Sequence, residues 1–164
     1  MKAIVRLMLL SVSVLAVALL PGHGQAPAKV MPKLEPVAET KLLMEALAHA
    51  NFRGLEKHLS PKPADPQAWI FARGQALLIA ETANLLMLRP PKNQGQAVWF
   101  DRTAELRGAA IQLALHLAKK DLEGSRAGLQ QLAGSCNRCH QAFRVPIEIA
   151  PFQQGDPAPL RKAE

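Results

Sequence analysis

The sequence of 164 residues predicts an all-α protein, folded as an antiparallel up-down-up-down four-helix bundle. Apolar residues recur at helical spacing in four segments after residue 36, and most of the breaks between the segments contain proline. No segment alternates apolar and polar residues as a half-buried strand does. Short connections between helices of about 22 residues favour antiparallel neighbours in a bundle.

Each predicted helix has a recognisable beginning or end. Asp65 can cap the second helix, and Pro66 then takes the first helical position, which tolerates proline. Asp121 can cap the fourth helix, and Val145-Pro146 ends it. The predicted helices cover, in order, about residues 37–59, 65–88, 96–120 and 121–144.

The amino-terminal stretch, residues 1–26, is expected to be a secretory signal peptide. Lys2 and Arg6 precede an apolar run that is too short and wrongly flanked for a membrane-spanning helix. Small residues follow, and cleavage is expected somewhere between residues 24 and 28. The mature protein is therefore expected in the periplasm or another exported location, without stable membrane insertion.

The mature chain is expected to hold one domain, residues 27–144. Residues 145–164 form a proline-rich carboxy-terminal tail, expected to be extended over the surface or disordered.

The fourth predicted helix carries the motif Cys136-Asn137-Arg138-Cys139-His140. Two cysteines three residues apart lie on one face of a helix, so both sulfur atoms can reach one edge of a porphyrin as thioethers. His140 follows at once and can ligate the iron, as a proximal histidine does. The spacing is the attachment pattern of one covalently bound haem c (heme c).

Two other uses of a cysteine pair fit less well. A zinc site would need two further ligands, yet the chain has no other cysteine and its remaining histidines are scattered. A redox dithiol of the thioredoxin kind would need a βαβ setting, which the flanking pattern does not offer.

The charge is moderately basic, with a formal net charge of +7 for the whole chain. Loss of Lys2 and Arg6 with the signal peptide leaves +5, and two haem propionates would lower this to about +3. Such an excess favours small redox partner proteins with acidic surfaces. Basic runs with interleaved aromatic residues are absent from the sequence, so we do not expect nucleic-acid binding.

From residue 37 to residue 144, the chain resembles the class II c-type cytochromes, the cytochrome c′ family, whose members are four-helix bundles. The haem motif lies on the last helix, and Phe143 and Arg144 continue it as the family does. Class I cytochromes instead carry the motif near the amino terminus and a methionine ligand far downstream. No methionine follows His140 here, so the class I interpretation fails.

The resemblance and the bundle topology together place Met44 near His140, as the distal ligand of the iron. Met44 lies on the inward stripe of the first helix, and it aligns with the family's distal position. Met87 is a rival. His49 is expected to face a neighbouring helix or solvent, because five residues of α-helix turn it about 140° from Met44.

Arg144 is the expected partner of a haem propionate, since it lies four residues after His140 and matches the family's arginine. Relatives often carry another arginine four residues before the distal position, where this chain has Thr40 with Lys41 beside it. The corresponding propionate contact from the first helix is therefore in doubt.

The function expected from these features is electron transfer by a mono-haem cytochrome, with iron held by His140 and Met44. The alternative is a five-coordinate cytochrome c′-like protein that binds nitric oxide or carbon monoxide. Enzymatic activity is not expected, because the apolar stripe around Met44 offers no obvious acid–base group. The resemblance also leaves a homodimer open.

Overall fold

A computed structural model describes residues 33–60, 62–63 and 65–152. The predicted signal peptide, residues 1–26, lies outside the described residues, as do residues 153–164 of the predicted tail. In the described ranges the regular secondary structure is helical, without strands, so the predicted all-α class is confirmed. The helices belong to one compact unit that begins at Glu35.

Four helical segments, numbered here in chain order, make up the described unit. The first, α1, runs without a break through an α-helical part, a π-helical part and a second α-helical part, Thr40–Leu43, Met44–His49 and Ala50–Leu59. The others are α-helices: α2 is Pro66–Met87, α3 is Gln96–Ala118 and α4 is Leu122–Ala142.

Both predicted aspartate caps are confirmed. Asp65 Oδ1 accepts a hydrogen bond from the Ala68 amide at 2.8 Å, at the beginning of α2. Asp121 Oδ1 accepts one from the Gly124 amide at 2.9 Å, at the beginning of α4. Each bond satisfies one of the amides that a helix leaves without an internal partner in its first turn.

Neighbouring helices pack against one another: α2 packs against α1 and α3, and α4 packs against α3 and α1. Small residues let α2 and α3 approach closely, since Ala76 and Ala110 are fully buried on them. Gly128 serves the same purpose on α4, where an added Cβ would lie 3.4 Å from the Leu113 Cα atom of α3. A leucine core, whose members are each at most 1% exposed, fills the interior: Leu55, Leu59, Leu113, Leu117 and Leu129.

Side chains also bond to the backbone of neighbouring helices. The Trp99 indole, at the beginning of α3, donates to the Leu86 carbonyl near the end of α2, at 2.8 Å. Arg126, in the first turns of α4, donates through Nε to the Leu59 carbonyl at the end of α1, also at 2.8 Å. These bonds fix which helix ends are neighbours.

None of the helices in the described residues is long and apolar enough to cross a membrane.

Candidate functional site

A cavity of about 430 Å³ lies among all four helices and the segment that follows α4. Its volume falls in the range of about 300–1,000 Å³ that is usual for sites of small ligands and cofactors. Much of its wall is apolar, from residues of α1, α2 and α3: Ala48, Phe52, Ile79, Leu86 and Leu106.

The cysteine–histidine motif forms part of this wall. Cys136, Cys139 and His140 all line the cavity, and they come from the last two turns of α4. Both cysteines are partly buried and neither is in a disulfide. The spacing in the sequence predicts that both thiols share one side of a helix, and in the structure they reach the same cavity.

The surroundings of the two thiols disfavour thiolate chemistry. Burial, together with the smaller effect of the neighbouring Cys139, raises the pKa of the Cys136 thiol to about 12. Burial also raises the pKa of Cys139, although the positive charge of Arg102 opposes the rise. A redox dithiol reacts through a thiolate, so the raised pKa values of both thiols disfavour that use.

His140 is held in one orientation by a backbone group. Its Nδ1 atom lies 2.9 Å from the Ile147 carbonyl oxygen. A carbonyl oxygen can only accept a hydrogen bond, so Nδ1 carries the proton and donates it. The lone pair then resides on Nε2, which is the arrangement of a metal-ligating histidine with a second hydrogen-bonded nitrogen.

The π-helical part of α1 brings two side chains to the cavity. Met44 begins this part and His49 ends it, and both line the cavity wall. His49 is exposed, in agreement with the expectation that it faces a neighbouring helix or solvent. It lines the cavity with Met44 as well, because a π-turn bonds residue i to residue i+5 and turns less per residue than an α-helix. Met44 is half-buried, while His49 is mostly exposed.

Met87 and Arg144 do not line the cavity. The Met87 sulfur lies 3.9 Å from Arg107 Nη1, and Met87 is not part of the cavity wall. Arg144 is exposed and does not line the cavity. The spacing argument for Arg144 assumed that α4 continues to it, but α4 ends at Ala142 and Arg144 has a left-handed backbone with φ of 56°.

An aromatic pair closes the wall beside the motif. Phe143 and Trp99 both line the cavity, and their ring centroids are 5.3 Å apart in an edge-to-face arrangement. Such pairs contribute about 0.5–1.5 kcal/mol beyond the area that they bury. The pair holds the beginning of α3 against the end of α4, next to His140.

Charged residues flank the cysteines. Glu105 accepts hydrogen bonds from Arg138 Nε at 2.6 Å and from Arg102 Nη1 at 2.7 Å. The bond from Arg138 is the main cause of a lowered pKa for Glu105. Arg102 lines the cavity, and among the described residues its buried Nε has no hydrogen-bond partner. Lys41 also lines the cavity, so Lys41 and Arg102 both contribute positively charged side chains to its wall.

The described part of the tail belongs to the site, which the sequence analysis did not predict. Val145, Ile147 and Ile149 line the cavity, so this stretch is not merely a surface extension. Asn137 holds it in place, because its side chain donates to the Ile149 carbonyl and accepts from the Ile149 amide, each at 2.8 Å. The available signal was the alternation of apolar residues over residues 145–149, although only Ile149 of the three is partly buried.

The donor set fits a haem. Two thiols, an imidazole with a free Nε2 and an apolar cavity are the groups that a covalently attached porphyrin requires. In the described part of the chain, no group of three or more histidine, cysteine, aspartate or glutamate side chains is placed to hold a bare metal ion.

Comparison of the chain with protein-family models, with curated proteins and with solved structures gives no match.

Proposed function

We propose that this chain is an exported mono-haem c-type cytochrome, similar to the class II group, that carries electrons between redox partners. One observation carries the proposal: Cys136, Cys139 and His140 share a single, mostly apolar cavity with Met44. The motif alone predicts attachment. The cavity adds a mostly apolar space that His140 and Met44 both line.

Each of these residues has a separate role in the proposal. Cys136 and Cys139 would hold the haem through thioether bonds, and His140 Nε2 and the Met44 sulfur would bind its iron. The bound haem supplies one-electron chemistry at its iron. The chain holds both ligands on packed helices and keeps water away, so little has to move when the electron does.

We also propose an antiparallel up-down-up-down order for the helices. Met44, near the beginning of α1, and His140, near the end of α4, line the same cavity. The opposite ends of these two helices are joined by the Arg126–Leu59 hydrogen bond. Likewise the Trp99–Leu86 bond joins the beginning of α3 to the end of α2. Both sets of contacts support alternating directions.

The proposed partners are small redox proteins with acidic surfaces. The support is the net charge of +5 that remains after removal of residues 1–26, together with exposed cations near the cavity. Lys41 is on the cavity wall and 78% of its side chain is exposed. Such charges increase the rate of encounter with an acidic surface and lose this effect at high salt.

Gas binding is the second candidate, and the cavity supplies an observation in its favour. Met44 is only half-buried, and the residues around the cavity include the apolar Ala48, Phe52 and Leu106. If Met44 does not bond the iron, such walls would surround an open position suited to nitric oxide or carbon monoxide.

An absorption spectrum of the purified ferric and ferrous protein distinguishes the two functions. Electron transfer through His140 and Met44 requires low-spin, six-coordinate iron, with the weak long-wavelength band of methionine-bound ferric haem. Rapid uptake of carbon monoxide by high-spin ferrous protein would instead favour gas binding. A spectrum without any haem bands would overturn both functions.

A further inference from the structure

The segment after α4, residues 145–152, is bonded to the helices at three places, and it is called the strap below. Its Ile147 carbonyl accepts from His140 Nδ1 at 2.9 Å. Both backbone groups of Ile149 bond to the Asn137 side chain at 2.8 Å. The Phe152 amide donates to Glu56 Oε1 on α1 at 2.6 Å.

Apolar contacts reinforce these bonds. Ile149 and Phe152 pack against the buried core, although the strap has no regular secondary structure. Ile147 and Ile149 also line the cavity. A segment without helix or strand holds one conformation only when side chains satisfy its backbone groups, and Asn137 does so at the middle of the strap.

The position of Asn137 in the chain links it to His140. It lies inside the haem motif, between Cys136 and His140, so it connects the strap to the same turn of α4 that carries the iron ligand. With Ile149 fixed by both of its backbone groups, the Ile147 carbonyl two residues earlier is held beside the His140 ring. Asn137 therefore acts on His140 through the strap.

We propose that Asn137 and the strap are positioning elements for His140. They fix its tautomer and ring direction and set the reduction potential of the iron. This inference rests on the proposed haem attachment. A hydrogen bond from the second ring nitrogen of a ligating histidine orients the ring and makes it a stronger donor. Stronger donation favours the ferric state, so the bond to Ile147 lowers the potential.

The test replaces Asn137 with alanine in the full, haem-loaded protein. In the Asn137→Ala variant we expect the midpoint potential to shift upward and the proton on His140 Nδ1 to exchange faster. We also expect the Ile149 amide to exchange with solvent about tenfold faster, since it loses its acceptor. The potential is read by spectroelectrochemical titration and the two protons by NMR.

Two further variants make the result specific. Asn137→Asp keeps an oxygen that accepts from the Ile149 amide but has no N–H for the Ile149 carbonyl, so it should restore most of the amide protection while its added charge lowers the potential. If the alanine variant does not accumulate, Asn137→Thr replaces it, because threonine has a similar volume but cannot make both bonds to Ile149. Gln141→Ala is the matched control, because Gln141 is an exposed residue four positions later on α4, and we expect no shift.

The possible results distinguish the positioning role of Asn137 from haem attachment itself. Faster exchange of the Ile149 amide with an unchanged potential would show that the strap is only structural, and the inference would be wrong. An upward shift of equal size in Gln141→Ala would also contradict it. A wild-type protein that carries no covalent haem would overturn the proposed function itself.

Discussion

The leucine core and the cavity region differ in how completely the chain fills its own interior. The leucine core is closed, with no member more than 1% exposed. Around the cavity, Met44, Trp99 and Cys136 are only partly buried and surround about 430 Å³. Protein interiors normally leave few voids larger than a water molecule. The leucine core therefore fills its own space with side chains, whereas the cavity region leaves room that the proposed haem would fill.

Loss of the attachment, a change made only in the cavity region, should have the largest effect. A Cys136→Ala, Cys139→Ala double variant cannot form thioethers, so we expect no haem-stained band on a denaturing gel. Without a group that fills the cavity, the native state loses stabilising contacts and its melting temperature should fall. Circular dichroism during heating measures this. A double variant with unchanged helicity and melting would show that the group contributes nothing to the fold.

A change in the leucine core should destabilise the protein without touching the cofactor. Leu129→Ala removes a fully buried side chain and should lower the free energy of unfolding by about 2–5 kcal/mol. Denaturant unfolding, followed by circular dichroism, measures this decrease in the free energy of unfolding. The haem absorption spectrum should stay that of the wild type, since Leu129 does not line the cavity. A shifted spectrum would mean that the two regions are not independent.

A change at Met44 should instead alter the state of the iron and have a smaller effect on stability. Met44→Ala should cost less stability than Leu129→Ala, because Met44 is only half-buried. We expect it to open an iron position, move the iron toward high spin, lower the potential and admit carbon monoxide. Absorption spectra and a redox titration record these changes.

His49→Ala is the matched variant for Met44→Ala, since both residues lie at the ends of the same π-helical part and line the cavity. It should leave spin state and potential unchanged. If His49→Ala alters the spectrum and Met44→Ala does not, the π-turn has brought His49 rather than Met44 to the iron.

The smallest expected effect concerns the charges beside the cysteines. The pKa of Glu105 is lowered chiefly by its hydrogen bond from Arg138. The contribution of Glu105 to the free energy of unfolding is therefore complete above the ordinary glutamate pKa. It is lost as the pH falls through the lower pKa of the folded state. At neutral pH, Glu105→Gln should reduce stability by less than about 1 kcal/mol, as partly exposed ion pairs do.

The pH dependence is the sharper part of this prediction. The stability difference between wild type and Glu105→Gln should shrink as the pH falls below about 4. Urea unfolding at several pH values measures it, and high salt should reduce the neutral-pH difference by screening. A difference that persists undiminished at about pH 3 would show that hydrogen-bond geometry, and not charge, is responsible.

Much of the fold could be predicted because its signals are local. Asp65 and Asp121 each precede a helix and cap it with their own side chains, so a few residues of sequence contain the whole interaction. The motif is local as well: Cys136, Cys139 and His140 come from consecutive turns of one helix, and their shared cavity follows from helical spacing.

The parts that could not be predicted depend on departures from regular helix or on distant partners. The π-turn between Met44 and His49 changes the helical register, and no residue between them marks it. The left-handed backbone of Arg144, just after the end of α4, is a second such departure. The bonds between Asn137 and Ile149 join a side chain to backbone groups twelve residues away, after a helix end. Nothing in the local sequence specifies such a pairing.

The most direct test of the central claim is an intact-mass measurement on the denatured protein, purified from a host able to attach c-type haem. We expect one species, with the mass of the mature polypeptide plus one haem, in which neither Cys136 nor Cys139 reacts with a thiol-alkylating reagent. A species with the mass of the polypeptide alone, in which both cysteines are alkylated, would contradict it.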